Sequence, residues 1–146
     1  MSQMSQMKDL VAKGVTAFHR TLYRTSGGKV GGKGFGMPVV ELHTTGRKTG
    51  KRRSTMLTTP IHDNQRVVLV ASYGGDDRHP TWFLNARDNP EVELTIHGET
   101  KPMTARVASP EEKAGLWPEV TSSYKGYAQY QTRTDRDIPL VILEPR

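Results

Sequence analysis

The apolar positions of this chain change their period near residue 38. Before it, Met7, Leu10, Val11, Val15, Phe18 and Leu22 recur every three or four residues, with Lys8, Lys13, Arg20 and Arg24 mostly on the other faces. That spacing predicts an amphipathic helix of about five turns over residues 1–25, weakened by Gly14 at its middle. Beyond it the pattern is mainly β. Residues 39–43, 53–61 and 66–72 read as strands, the last two joined by His62-Asp63-Asn64-Gln65. Tyr73-Gly74-Gly75-Asp76-Asp77 is a loop, and His79-Pro80 opens a short helix to about residue 86 that stops before Pro90. Residues 92–97 and 101–108 form a hairpin about Gly98-Glu99. Ser109-Pro110-Glu111-Glu112 supplies a capping hydroxyl, a proline for the first helical position and acids for the first turn. A helical stretch follows to about residue 130, interrupted near Pro118, and residues 138–143 are a last apolar strand. Hairpin-joined strands with few, peripheral helices predict a mainly β (α+β) domain, a small barrel or a strongly bent sheet.

Between helix and sheet lies SGGKVGGKGFG, residues 26–36, with six glycines in eleven residues. Gly27, Gly32 and Lys33 fit G-x-x-x-x-G-K, but Gly34 stands where a magnesium-binding hydroxyl belongs, no strand precedes it, and Pro38 removes the helix that should follow. The segment therefore reads as a linker or as a lid over a ligand. The predicted organisation is one domain over residues 1–146: helix 1–25, glycine-rich loop 26–37, barrel 38–146.

Composition narrows the chemistry. The chain has no cysteine, which excludes disulfides, thiol nucleophiles and thiolate metal sites and fits a reducing compartment. His19, His43, His62, His79 and His97 show no paired-ligand spacing, so no metal site is expected. No G-x-S-x-G elbow is present. No apolar run suits a membrane-spanning helix and the N-terminus has no apolar signal core, so the expected location is the cytoplasm. A net charge of +6 calls for an anionic partner.

That charge is concentrated. Residues 44–55, TTGRKTGKRRST, carry Arg47, Lys48, Lys51, Arg52 and Arg53 around two glycines, with Glu41 the only acid nearby. Guanidinium and ammonium groups beside unhindered backbone suit phosphate or carboxylate oxygens. Charge density alone is equally compatible with a basic turn that only keeps the protein soluble. A nucleic-acid-binding barrel is a second reading, but such grooves interleave aromatics for base stacking and residues 44–61 hold none. Tyr124, Tyr127 and Tyr130 lie three apart, which on a helix traces one drifting face. Phenols can donate to an oxygen that gains charge during reduction, or simply pack on the barrel, as Trp82 and Phe83 do by default.

Taken in order, TTGRKTGKRRS, VLVASYGG, HPTWFLNARDNPEVEL and WPEV with spaced tyrosines before TDRDIPLVILEP resemble the deazaflavin (F420)-dependent nitroreductase family of actinobacteria, of the F420H2-dependent quinone reductase type. The resemblance implies a split β-barrel of the flavin-reductase/pyridoxamine-oxidase-like fold. It also implies reduced coenzyme F420 as hydride donor, a cofactor whose phosphate and oligoglutamate tail make it a polyanion; flavin mononucleotide, used by related split barrels, is the alternative ligand. The family's cofactor-binding positions fall on Arg47, Lys48 and Thr49, on Arg53, Ser54, Thr55, Met56, Leu57 and Thr58, on Val70, Ala71, Ser72 and Tyr73, on Thr81, Trp82, Phe83, Leu84 and Asn85, and on Tyr127. Around the acceptor it implies Ser72, Tyr124, Tyr127 and Tyr130. Acceptors in the family include quinones such as menaquinone, nitroimidazoles and enones. The N-terminal helix would then suit peripheral contact with the inner face of the cell membrane. Two positions depart from the family pattern: Thr58 replaces an acceptor-pocket tyrosine and Tyr73 replaces a lysine, which leaves the natural acceptor open. A non-catalytic F420 carrier is the competing reading of the same residues.

Overall fold

In the computed structural model, residues 33–34 and 36–146 are described; the predicted N-terminal helix and most of the glycine-rich segment lie outside them. The end of that segment is not loop as expected. Lys33–Gly34 (β1) pairs antiparallel with the first residues of Met37–Thr45 (β2), around Gly36 at φ +78°, a conformation that glycine adopts without steric cost.

β2 pairs along one side with Arg52–Thr58 (β3), in a register that sets Val39 opposite Thr58 and Thr45 opposite Arg52. The predicted strand over residues 53–61 breaks because Pro60 cannot donate to a ladder. The chain bends there, and Ile61–His62 (β4) pairs instead with Val67–Val70 (β5). Buried Thr59 holds the bend: its hydroxyl is 2.8 Å from the Ile61 carbonyl and 2.7 Å from that of Val68. Glu91–Ile96 (β6) and Glu99–Val107 (β7) form the predicted hairpin, and Leu140–Pro145 (β8) closes the run. The strand order is β1-β2-β6-β7-β8-β5-β4, all antiparallel, with β3 on the other side of β2. No ladder among the described residues joins β3 to β4, so the sheet curls without closing.

Two cores follow from the alternation of side chains. Val40, Leu42, Leu69, Leu94, Ala105 and Leu143 line the inner face, plugged by Trp82, Phe83 and Ala86 of the helix Thr81–Asp88 (α1). Val68, Val70, Leu140 and Ile142 point outward and are covered by Pro110–Ser123 (α2) and Gly126–Thr132 (α3). β5 and β8 are thus apolar at consecutive positions because both of their faces are buried.

α2 starts at the predicted place. Ser109 accepts from the Glu112 amide while the Glu112 carboxylate accepts from the Ser109 amide, a reciprocal capping box. The predicted interruption at Pro118 does not occur. A proline there removes the donor to the Ala114 carbonyl and crowds it, but both residues are exposed, so that carbonyl can tilt out to water. The helix ends instead at Tyr124, where φ turns to −154°.

Candidate functional site

The β2–β3 turn is a closed backbone ring. The Gly46 amide donates to the Lys51 carbonyl and the Gly50 amide to that of Gly46, both at 2.8 Å, with Gly50 at φ +70°. The Thr49 hydroxyl accepts from the Lys51 amide at 3.2 Å, which leaves its own proton free to donate. A Cβ on Gly46 would meet that hydroxyl at 2.7 Å and the Lys51 carbonyl at 3.3 Å, so a larger residue there would displace the Thr49 side chain from its bond. Arg52 reaches across to Glu93 on β6. The exposed cations Arg47, Lys48, Lys51 and Arg53 form no ion pair among the described residues.

α1 fixes this turn in place. Asn85, 3% exposed, accepts from the Arg47 amide at 3.0 Å, and its amide nitrogen lies 3.5 Å from the Thr44 hydroxyl. The first and third predicted stretches are therefore adjacent, with Asn85 tying them together. Trp82 and Phe83 are buried in the inner core, edge to face at 6.3 Å. Leu84 packs against that core, and Thr81 is exposed.

Along β3 the predicted residues divide by face. Leu57 packs on the inner core, Thr55 sits opposite Leu42, and Met56 packs with Val39. The Ser54 hydroxyl is 2.7 Å from Nδ1 of His43, whose Nε2 is 2.8 Å from the Thr95 hydroxyl, a cross-strand chain through a nearly buried imidazole. At the far end the Thr58 hydroxyl is 3.2 Å from the phenol of Tyr127. A seven-residue strand spans roughly 20 Å, so β3 runs like a rail from the cationic turn to the tyrosines.

The three tyrosines meet, although not on one helix. Tyr124 caps α2, whereas Tyr127 and Tyr130 belong to α3. Tyr124 lies 5.2 Å from Tyr127 and 6.2 Å from Tyr130, centroid to centroid, and the last two lie 6.3 Å apart. Gly126 makes this packing feasible: a Cβ there would come within 2.6 Å of the Tyr124 hydroxyl. Burial pushes the Tyr127 phenol above its ordinary range, against the bond from Thr58. The bond with Tyr124 (3.3 Å between hydroxyls), helped by burial, pushes Tyr130 up to about 12. Both phenols are therefore proton-bearing donors at neutral pH.

The second predicted stretch leaves the barrel at the end of β5. Val70 lies in the outer core and Ala71 in the inner one. Ser72 is 8% exposed, and its hydroxyl caps nothing and finds no partner among the described residues. A buried hydroxyl without a protein partner is costly to retain. Tyr73, Gly74 and Gly75 follow at φ +46°, +63° and +83°, and the Arg78 guanidinium lies 5.4 Å from the centre of the Tyr73 ring. Asp76 is engaged with Arg78 at 3.1 Å and Asp77 accepts from Thr134 at 2.8 Å, in keeping with their reading as loop residues. The sequence reading missed Arg136, whose guanidinium grips this loop; nothing in TDRD distinguishes it from a surface arginine.

Over residues 16–145 the chain matches the protein family described as F420H(2)-dependent quinone reductase. It is 39% identical over 132 residues to an F420H(2)-dependent quinone reductase of Mycobacterium tuberculosis, covering 88% of each chain. A solved F420-H2 dependent reductase is 41% identical with a TM-score of 0.66, covering 73% of this chain and 94% of that one. A structure solved as a domain-swapped dimer is 34% identical with a TM-score of 0.67, covering 97% and 96%. A Clostridium acetobutylicum protein of the pyridoxinephosphate oxidase family shares the fold alone, at 13% identity and a TM-score of 0.53 over 73% and 74% of the chains. Because the match spans residues 16–145 and holds in sequence and fold alike, this chain belongs to the F420H(2)-dependent quinone reductase family.

Proposed function

We propose that this F420-dependent quinone reductase acts on a lipid-soluble naphthoquinone such as menaquinone, with the cofactor laid along β3 and the acceptor against the tyrosines. The observation that carries the reading is the pairing of two unlike ends on one strand: four cations at the turn that form no ion pair among the described residues, and a phenol–hydroxyl pair at Thr58. A cofactor with an anionic tail and a flat redox ring asks for those two ends in that order. When bound, reduced F420 supplies a hydride, and a quinone that takes it up with one proton becomes the hydroquinone.

The chain's own residues do the rest. Arg47, Lys48, Lys51 and Arg53 hold phosphate and carboxylate oxygens, on a turn whose backbone is already set by Asn85. The Ser72 hydroxyl, buried and without a partner among the described residues, supplies a hydrogen bond to ring or acceptor oxygen. Tyr127 and Tyr130, both protonated at neutral pH, donate to the quinone oxygen as it becomes negative. The tyrosine cluster and outer core exclude water from that end. Contact of residues 1–25 with a membrane surface would hold the protein where a lipid-soluble quinone resides. No helix among the described residues is long and apolar enough to cross a bilayer.

The test is a titration with reduced F420 followed by menadione. Saturable binding that weakens with salt, then quinone-dependent reoxidation, is the expected result. Binding without reoxidation by menadione or menaquinone would move the chain to the carrier reading.

A further inference from the structure

After α3 the chain runs back across the loop that follows β5, and its contacts there are mostly with backbone. Arg136 Nε donates to the Asp76 carbonyl at 2.8 Å, Nη2 to the Ser72 carbonyl at 2.8 Å, and Nη1 to the Ala71 carbonyl at 3.2 Å. Nη1 also lies 3.3 Å from Nδ1 of His79, which must then be the acceptor. Two further ties come from the same stretch: Arg133 Nη1 donates to the Gly74 carbonyl at 3.3 Å, and the Thr134 hydroxyl to Asp77 at 2.8 Å. Gly75 packs so closely that a Cβ there would meet the Tyr130 carbonyl at 2.7 Å and Arg133 Cβ at 2.9 Å.

The held loop is one that would not keep its shape alone. Three consecutive residues, Tyr73 to Gly75, have positive φ, and Tyr73 is not a glycine. Such backbone persists only where its surroundings over-determine it. Three carbonyls and an imidazole nitrogen around one group call for a planar fork of fixed donors, which arginine has and lysine lacks.

We propose that Arg136 is a positioning residue for hydride transfer, holding the loop that carries Ser72 at a fixed distance from the tyrosines of α3. The stretch that ends at Arg136 begins at Tyr130, so one short run of chain sets both walls of the site. The inference rests on the function proposed above. It assigns no contact with cofactor or acceptor to Arg136 itself.

The test uses the full chain with Arg136→Gln and Arg136→Lys, reduced F420 and menadione, with rates expressed per F420-binding site. Misplacement of a reacting group by about an ångström costs on the order of 100-fold. The Gln variant should therefore lose roughly that factor in kcat. Its affinity for reduced F420 should stay within a few-fold of wild type, because the cationic turn is untouched. The Lys variant should fall between them, and it carries the test if the Gln variant does not fold. A purely structural role would lower Tm and the number of binding sites but leave the rate per site unchanged. A rate per site within twofold of wild type in the folded variant overturns the proposal alone. A wild-type chain that never reoxidises reduced F420 overturns the function reading and this proposal with it.

Discussion

The cationic turn and the tyrosine corner stand at opposite ends of β3 and are built in opposite ways. The turn is exposed and charged, and its shape comes from backbone bonds and one buried amide, Asn85. The corner is largely buried and neutral, and its shape comes from rings packed around Gly126 and hydroxyls bonded to one another. A turn of the first kind recognises charge and tolerates changes in side-chain detail, since its cations take no part in the core. A corner of the second kind positions atoms, and a change of one hydroxyl reaches its neighbours.

The difference becomes measurable when each end is altered separately. The largest effect expected on binding is from replacing Arg47, Lys48 and Arg53 together with Ala. Hydrogen bonds to charged groups contribute about 1.5–3 kcal/mol each, so affinity for reduced F420 should fall at least about 100-fold. The salt dependence of the remaining binding should flatten, while thermal unfolding stays within a few degrees of wild type. An affinity that survives this triple change would detach the turn from the cofactor.

Gly75→Ala probes the corner's support. It forces a side chain into the Tyr130 carbonyl at a φ of +83°, and backbone strain of this kind costs roughly 1–3 kcal/mol before the clash is added. A clear fall in Tm should follow, measured calorimetrically; an unchanged Tm would mean that the loop and α3 are not held together. Asn85→Ala should be milder, with a loss of about 1–2 kcal/mol as the Arg47 amide and Thr44 hydroxyl lose their partner, and a few-fold weaker cofactor binding.

The smallest effect is on acid stability. Burial lowers the His79 pKa below its ordinary 6.5, assisted by Arg136 and Arg87. A depressed histidine pKa favours the folded state above about 6.5, and that contribution is lost as pH falls from there through the folded-state value. Stability should therefore decline on acidification below pH 6.5, and His79→Asn, which keeps an acceptor toward Arg136, should make the decline shallower. For the phenols the sign is reversed. The raised pKa of Tyr130 contributes stability below pH 10 that disappears as pH rises through about 12.

How much of this was legible beforehand follows the same division. The turn showed in sequence because charge is a local property: five cations in seven residues need no fold to be noticed. The capping box was equally local, and it starts α2 where expected. The corner was legible only as a spacing. Tyr124, Tyr127 and Tyr130 do converge, but through a helix break at Tyr124 and the missing Cβ of Gly126, both set by packing. Pro118 misled because its cost depends on whether the Ala114 carbonyl reaches water, which only the position of α2 decides. Arg136 was invisible, since its three carbonyl partners lie about 60 residues away along the chain.

The most direct test compares the triple turn variant with Tyr127→Phe in one stopped-flow experiment with reduced F420 and menadione. If recognition and chemistry divide between the ends of β3, the turn variant raises the Kd for reduced F420 and keeps the wild-type transfer rate at saturation. Tyr127→Phe would then keep the Kd and lose at least about tenfold in that rate. If both variants shift the same constant, or if the turn variant slows transfer at saturation while Tyr127→Phe does not, the division is wrong.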